Sequence, residues 1–63
     1  MTAQPDSTTP ALISRRTFLV IEACREGATW PLAVEAVSTY ALAHPEVDMG
    51  EYRTYDEWRR LTP

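Results

Sequence analysis

A break around Gly27 and Pro31, together with a second proline at position 45, constrains the fold of this chain more than any other feature. Glycine commonly follows the last residue of a helix, and proline is tolerated in the first helical turn, where its missing N–H costs nothing. The residue before a proline is pushed out of the helical region, so Pro45 ends any helix that precedes it. The sequence therefore predicts one helix ending near Gly27 and a second helix over about 31–43.

The segment before Gly27 predicts a first helix over about 15–26, with Ser14 as its N-cap. Apolar or small residues recur there at helical spacing, at Thr17, Val20, Ile21, Cys24 and Ala28. An alternative interpretation takes 17–21 as a buried strand, because a short β-branched run has no distinctive period. We favour the helix because residues 22–26 continue it without a turn signal.

The predicted second helix is apolar over most of its circumference. Its two apolar stripes share Val37 and otherwise contain Trp30, Val34 and Ala41 on one side and Ala33, Ala36 and Tyr40 on the other. Its small alanines let a neighbouring backbone approach closely. We therefore expect this helix to be the central element of the domain, packed on two sides, and a homodimer through helix 31–43 is one predicted assembly.

A third helix is predicted over about 55–61. Thr54 and Glu57 have the spacing of a capping box, in which each residue satisfies a free N–H at the helix start. Acidic residues at 56–57 and arginines at 59–60 match the helix dipole at both ends. Between Pro45 and this helix, Asp48 is expected to cap a short turn, with Glu51 at the capping-box offset.

The N-terminal residues 1–12 are rich in serine, threonine and proline and poor in large apolar side chains. We expect a flexible, disordered arm over 1–12 and a single small helical domain over 13–63, so the predicted fold class is all-α with three helices. A domain this small is usually stable by only a few kcal/mol unless a disulfide, a metal or a partner contributes. The single cysteine and single histidine leave a partner as the remaining candidate.

Composition excludes several functional classes. A lone Cys24 fits a reducing compartment, and the chain begins without a basic leader or an apolar run long enough to span a bilayer, so we expect a cytoplasmic protein with no membrane partner. Cys24 and His44 are too few for a zinc site, and the spacing from Glu46 to Glu57 does not fit a calcium loop. No catalytic constellation is visible, so we expect a non-enzymatic protein without a cofactor or metal.

The C-terminal segment combines aromatic residues with arginines, the types enriched at binding hot spots. The predicted partner-binding residues, termed here the C-terminal patch, are Tyr52, Arg53, Tyr55, Trp58, Arg59 and Arg60. The alternative is that Tyr55 and Trp58 close a core with Trp30, Phe18 and Tyr40, and that the two terminal arginines form a solvated helix end.

Residues 25–36, Arg-Glu-Gly-Ala-Thr-Trp-Pro-Leu-Ala-Val-Glu-Ala, resemble the first half of the trihelical helix-turn-helix domains of phage terminases and transposition proteins. The resemblance begins near residue 23 and implies a recognition helix that enters the major groove of DNA. Arg53, Arg59 and Arg60 would then contact DNA, and Arg15 and Arg16 would add further contacts. The chain departs from that pattern after residue 36, because its second helix continues without a glycine turn.

These features predict a small regulatory or adaptor protein that docks onto another protein, such as a phage or mobile-element inhibitor or an accessory subunit. A degenerate helix-turn-helix DNA binder is the alternative, although the net charge of −3 opposes non-specific binding to nucleic acid. A third interpretation is a nucleic-acid mimic with acidic residues facing a basic partner: Glu46, Asp48, Glu51, Asp56 and Glu57.

Overall fold

The computed structural model describes residues Pro10–Thr62 and contains three helices and two short strands. In chain order these are β1 (Leu12–Ser14), α1 (Arg15–Arg25), α2 (Trp30–Ala43), β2 (Tyr52–Thr54) and α3 (Tyr55–Leu61). The three predicted helices are confirmed, with their ends within one residue of the predicted positions. Residues 17–21 lie inside α1, so the alternative strand interpretation is wrong.

The prediction of a purely all-α fold is wrong, because β1 and β2 pair as a two-stranded antiparallel sheet. Leu12 pairs with Thr54, Ile13 with Arg53, and Ser14 with Tyr52. The last residue of each strand is also the N-cap of the helix that follows, and an N-cap adopts extended backbone angles. When the starts of α1 and α3 lie side by side, the extended residues that lead into them can pair as strands without a longer segment. Leu12, predicted to belong to the flexible arm, is instead the first residue of β1. Residues 1–9 of the predicted arm lie outside the described residues.

Local caps fix the helix ends. The Ser14 hydroxyl accepts a hydrogen bond from the Thr17 N–H at 3.1 Å, as an N-cap should. The predicted capping box is confirmed: Thr54 Oγ1 accepts from the Glu57 N–H at 3.2 Å, while Glu57 Oε1 accepts from the Thr54 N–H at 3.0 Å. Gly27 follows α1 with φ of 110°, a left-handed conformation that glycine adopts without strain.

The central element is α1, and not α2 as the sequence indicated. Helix α1 packs against both α2 and α3, whereas the residues that α2 buries are only Ala33 and Val37. The strand pairing explains this, because it places the start of α3 beside the start of α1. Trp30 and Tyr40, expected in the core, are exposed.

The core has two parts. One is the cluster of Val20, Ala33 and Val37, between α1 and α2, where the half-buried Cys24 and Met49 also pack. The other joins Phe18 of α1 to Trp58 of α3, both almost fully buried.

Candidate functional site

Trp58, one of the residues of the C-terminal patch, is a core residue with only 3% of its surface exposed, as the alternative interpretation expected. Its ring stacks on Phe18 with centroids 5.9 Å apart, and its Nε1–H donates to the carbonyl oxygen of Ile13 at 2.9 Å. The indole therefore ties α3 to both α1 and β1. Burial of this kind leaves no surface for a partner to contact.

Two arginines contact the same indole. The guanidinium carbons of Arg15 and Arg53 lie 4.9 and 5.7 Å from the Trp58 ring centroid, within cation–π range. Both arginines pair with Glu51, at 3.2 and 2.7 Å. Glu51 thus bridges two arginines and does not complete the capping box expected with Asp48. Asp48 does cap a turn, because its Oδ1 accepts a hydrogen bond from the Gly50 N–H. Arg53 therefore belongs to a partly exposed network with Glu51, Arg15 and Trp58.

Tyr55 is half-buried and has two roles in the fold. Its ring lies 5.5 Å from that of Phe18, and its hydroxyl donates to Glu22 Oε2 at 2.5 Å. Arg59 Nη1 donates to the same hydroxyl oxygen at 3.1 Å, and this hydrogen bond raises the pKa of Arg59 above its ordinary value. The Arg59 side chain is exposed but held against Tyr55.

Two members of the C-terminal patch face solvent without such ties. Tyr52 is 64% exposed, and Arg60 is exposed near the end of α3. The register places Tyr52 on the same face of the sheet as Leu12, which is also exposed, while Ile13 and Arg53 take the opposite face. The structure therefore buries Trp58, ties the half-buried Arg53 and Tyr55 to neighbouring side chains, and leaves Tyr52, Arg59 and Arg60 on the surface. A partner contact through the C-terminal patch stays a prediction.

The largest set of exposed apolar side chains lies on α2 and was only partly predicted. Its members, termed here the α2 surface, are Trp30, Leu32, Val34, Tyr40 and Leu42. The predicted stripes omitted Leu32 and Leu42, because both project away from the helix face expected to be buried. The sequence contained the signal that was missed: a helix that is apolar on all sides is normally buried on all sides, and this chain is too short to cover α2 completely.

A groove of about 590 Å³ runs between the C-terminal half of α2 and the segment 45–49. Its apolar lining comprises Ala41, Leu42, Pro45, Val47 and Met49, and its polar lining comprises Arg16, Ser38 and Asp48. The groove is open to solvent, which suits a polypeptide segment better than an enclosed small molecule.

His44 and Cys24 are the two residues that were considered as zinc ligands. Within Pro10–Thr62, no three histidine, cysteine, aspartate or glutamate side chains gather as metal ligands. His44 is the C-cap of α2; its ring lies 4.5 Å from that of Tyr40, and its Nδ1 lies 3.3 Å from Glu46 Oε2. Cys24 is a free, half-buried thiol.

The arginines proposed as DNA contacts have different environments. Arg15 and Arg53 pair with Glu51, and Arg59 bonds to Tyr55. DNA binding through Arg53, Arg59 and Arg60, with Arg15 and Arg16 as helpers, stays a prediction.

Over the part of the chain that the structure describes, no helix is both long and apolar enough to cross a bilayer. The chain matches no protein-family model, no curated protein and no solved structure.

Proposed function

We propose that this chain is a non-enzymatic regulatory or adaptor protein of the cytoplasm that docks onto another protein through the α2 surface. The observation that carries the proposal is the exposure of five large apolar side chains on one helix of 14 residues. Large exposed apolar surfaces on a soluble monomer usually mark an interaction site.

The small core supports the same proposal. Within residues 10–62 the buried apolar side chains are only Phe18, Val20, Ala33, Val37 and Trp58. A core of this size stabilises a short chain by only a few kcal/mol. Covering α2 with a partner would add apolar burial at about 25 cal/mol for each Å² removed from water, and would thereby stabilise the fold.

The proposal shifts the docking surface from the C-terminal patch to α2. Trp58, the residue type most typical of a hot spot, is already used in the core, and Arg53 and Tyr55 are held by internal bonds. Leu42 and Leu32, in contrast, make most of their surface available to a second molecule.

Site-specific photo-crosslinking in the native host tests the proposal. A photoreactive phenylalanine analogue replaces Leu32 or Leu42 on α2, or Arg60 on α3 as the matched exposed position in the C-terminal patch. We expect discrete adducts with a protein from both α2 positions and none from position 60. Adducts from position 60 alone would favour the C-terminal patch, and absence of adducts from every position would count against a docking function.

A further inference from the structure

The side of α2 that points away from the core carries four exposed residues at a spacing typical of paired helices. They are Leu32, Glu35, Thr39 and Leu42. Residues spaced alternately three and four apart lie along one side of a helix, and helices that pair with each other meet through such residues. The side that α2 buries against α1, with Ala33 and Val37, lies opposite. These four residues are termed here the outer face of α2.

The outer face contains a carboxylate without a cationic partner. Glu35 is the only charged residue of α2. Among the described residues, no arginine or histidine nitrogen lies within 4.0 Å of its carboxylate oxygens. A molecule that covers the outer face must therefore supply a cation there, or leave a carboxylate unpaired at the interface, which is costly.

Arg16 places an unpaired cation beside the same face. Its Nη1 donates to Ser38 Oγ at 3.5 Å, and Ser38 directly precedes Thr39 on α2. Arg16 is exposed, and it forms no ion pair in the part of the chain that the structure describes. Asp48 lines the same groove as Arg16, but its carboxylate accepts from the Gly50 N–H and lies more than 4.0 Å from the guanidinium nitrogens. Each copy of the chain thus offers one carboxylate and one cation to a neighbour.

We infer that two copies of this chain pair through the outer face, with their α2 helices antiparallel. Positions 32 and 42 are equally far from Val37, so a two-fold axis at that level puts Leu32 of each copy opposite Leu42 of the other. Leu32 is 59% exposed, and Leu42, at 84%, is the most exposed large apolar side chain among residues 10–62. The dimer removes both from water, which favours association.

The same axis brings the unpaired charges together. Positions 35 and 39 are also equally far from the axis, so Glu35 of one copy faces Thr39 of the other. Ser38 precedes Thr39 and holds the Arg16 guanidinium, so the Glu35 carboxylate comes next to Arg16 of the other copy. By symmetry the dimer contains two such ion pairs.

The charges also select the orientation of the helices. A parallel arrangement in register would place Glu35 of one copy directly opposite Glu35 of the other, and like charges brought together oppose association. In the antiparallel arrangement the two carboxylates are four residues apart along the helix axis, about 6 Å, and each has a cation beside it. The antiparallel dimer is therefore the complementary one.

The dimer goes beyond the docking function proposed above and does not depend on it. Leu32 and Leu42 also belong to the α2 surface, so a second copy and a different partner protein would compete for them. Two helices of 14 residues make contact over only about 21 Å, which gives an interface at the small end of the specific ones. We expect a dissociation constant on the order of 10–100 µM.

Sedimentation equilibrium of the full chain, at concentrations from tenfold below to tenfold above that constant, tests the inference. Leu42→Ser should weaken the dimer about hundredfold, because the two-fold axis makes each substitution count twice. Glu35→Arg and Arg16→Glu should each weaken it about tenfold at low salt. Glu26→Arg and Arg60→Glu make the same changes of charge at exposed positions outside the outer face, and should leave the dimer unchanged.

Charge exchange identifies the ion pair. A chain carrying both Arg16→Glu and Glu35→Arg should regain the wild-type dissociation constant to within about threefold, because each pair is complementary again. An equimolar mixture of the two single variants should form a heterodimer for the same reason, although each variant alone associates poorly. An effect of either substitution on folding alone would give neither rescue.

A wild-type chain that stays monomeric at every concentration would overturn the inference, and so would a dimer that Leu42→Ser leaves intact. Failure of both rescues would overturn the antiparallel pairing of Arg16 with Glu35. The docking function has a separate readout. Crosslinks from α2 to a different protein, without a dimer, would remove the dimer and leave docking; a dimer without such crosslinks would do the reverse.

Discussion

Trp58 should contribute more to stability than any other residue of the C-terminal segment. Replacing a buried tryptophan by alanine typically costs about 3–5 kcal/mol, which is comparable with the whole stability expected of a chain this short. Trp58→Phe is the more informative change, because phenylalanine can keep the stacking on Phe18. It loses the Nε1–H hydrogen bond to Ile13, worth about 1 kcal/mol, and it leaves part of the indole volume unfilled, which we take as about another 1 kcal/mol.

Thermal unfolding followed by far-ultraviolet circular dichroism measures this effect. A loss of about 2 kcal/mol should lower the Tm by about 8–16 °C in a domain of this size. Tyr52→Ala is the control, since Tyr52 is an aromatic residue of the same segment but faces solvent and should change stability by less than about 0.5 kcal/mol. Equal effects of Trp58→Phe and Tyr52→Ala would refute the placement of Trp58 in the core.

Three further predictions concern the glycine after α1, the cap of α3 and binding to DNA. Gly27→Ala should destabilise the chain by about 1 kcal/mol in urea unfolding, because φ of 110° strains a residue with a Cβ although space for it is open; an unchanged midpoint would contradict this. The Thr54 N–H holds the pKa of Glu57 below its ordinary value. The stability from this contact is therefore complete above the unfolded pKa of about 4.3, and it is lost as pH falls through the lower folded pKa. Glu57→Gln should flatten this loss of stability in acid, and an unchanged pH dependence would refute the capping role. If the chain binds duplex DNA, affinity should fall steeply with added salt and fall further in Arg59→Ala, Arg60→Ala, whereas no affinity at low salt would eliminate the helix-turn-helix proposal.

Local signals made the helices predictable. Gly27, the Thr54–Glu57 capping box and Pro45 act through their own backbone or through residues three positions away, and they set helix ends whatever the tertiary fold. The strands gave no such signal, because each is three residues long and forms only when two distant N-cap residues meet. A pairing between residues about 40 positions apart depends on the whole chain.

The surface was harder to predict than the helices. Tyr52, Tyr55 and Trp58 are spaced three residues apart, and that spacing alone does not tell a buried aromatic residue from an exposed one. The direction in which α3 packs decides it, and the sheet sets that direction by placing α3 against α1. The same packing leaves α2 uncovered on most sides, so the helix expected at the centre provides the exposed apolar surface.

Copurification of a native partner with two matched variants tests the central claim most directly. One variant carries Leu32→Ser and Leu42→Ser on the α2 surface; the other carries Tyr52→Ser and Leu61→Ser, two comparably exposed residues outside α2. Both are first shown by circular dichroism to keep the helical content of the wild type. We predict that the α2 variant alone loses the partner. Loss from the second variant alone, or equal loss from both, would contradict docking through α2.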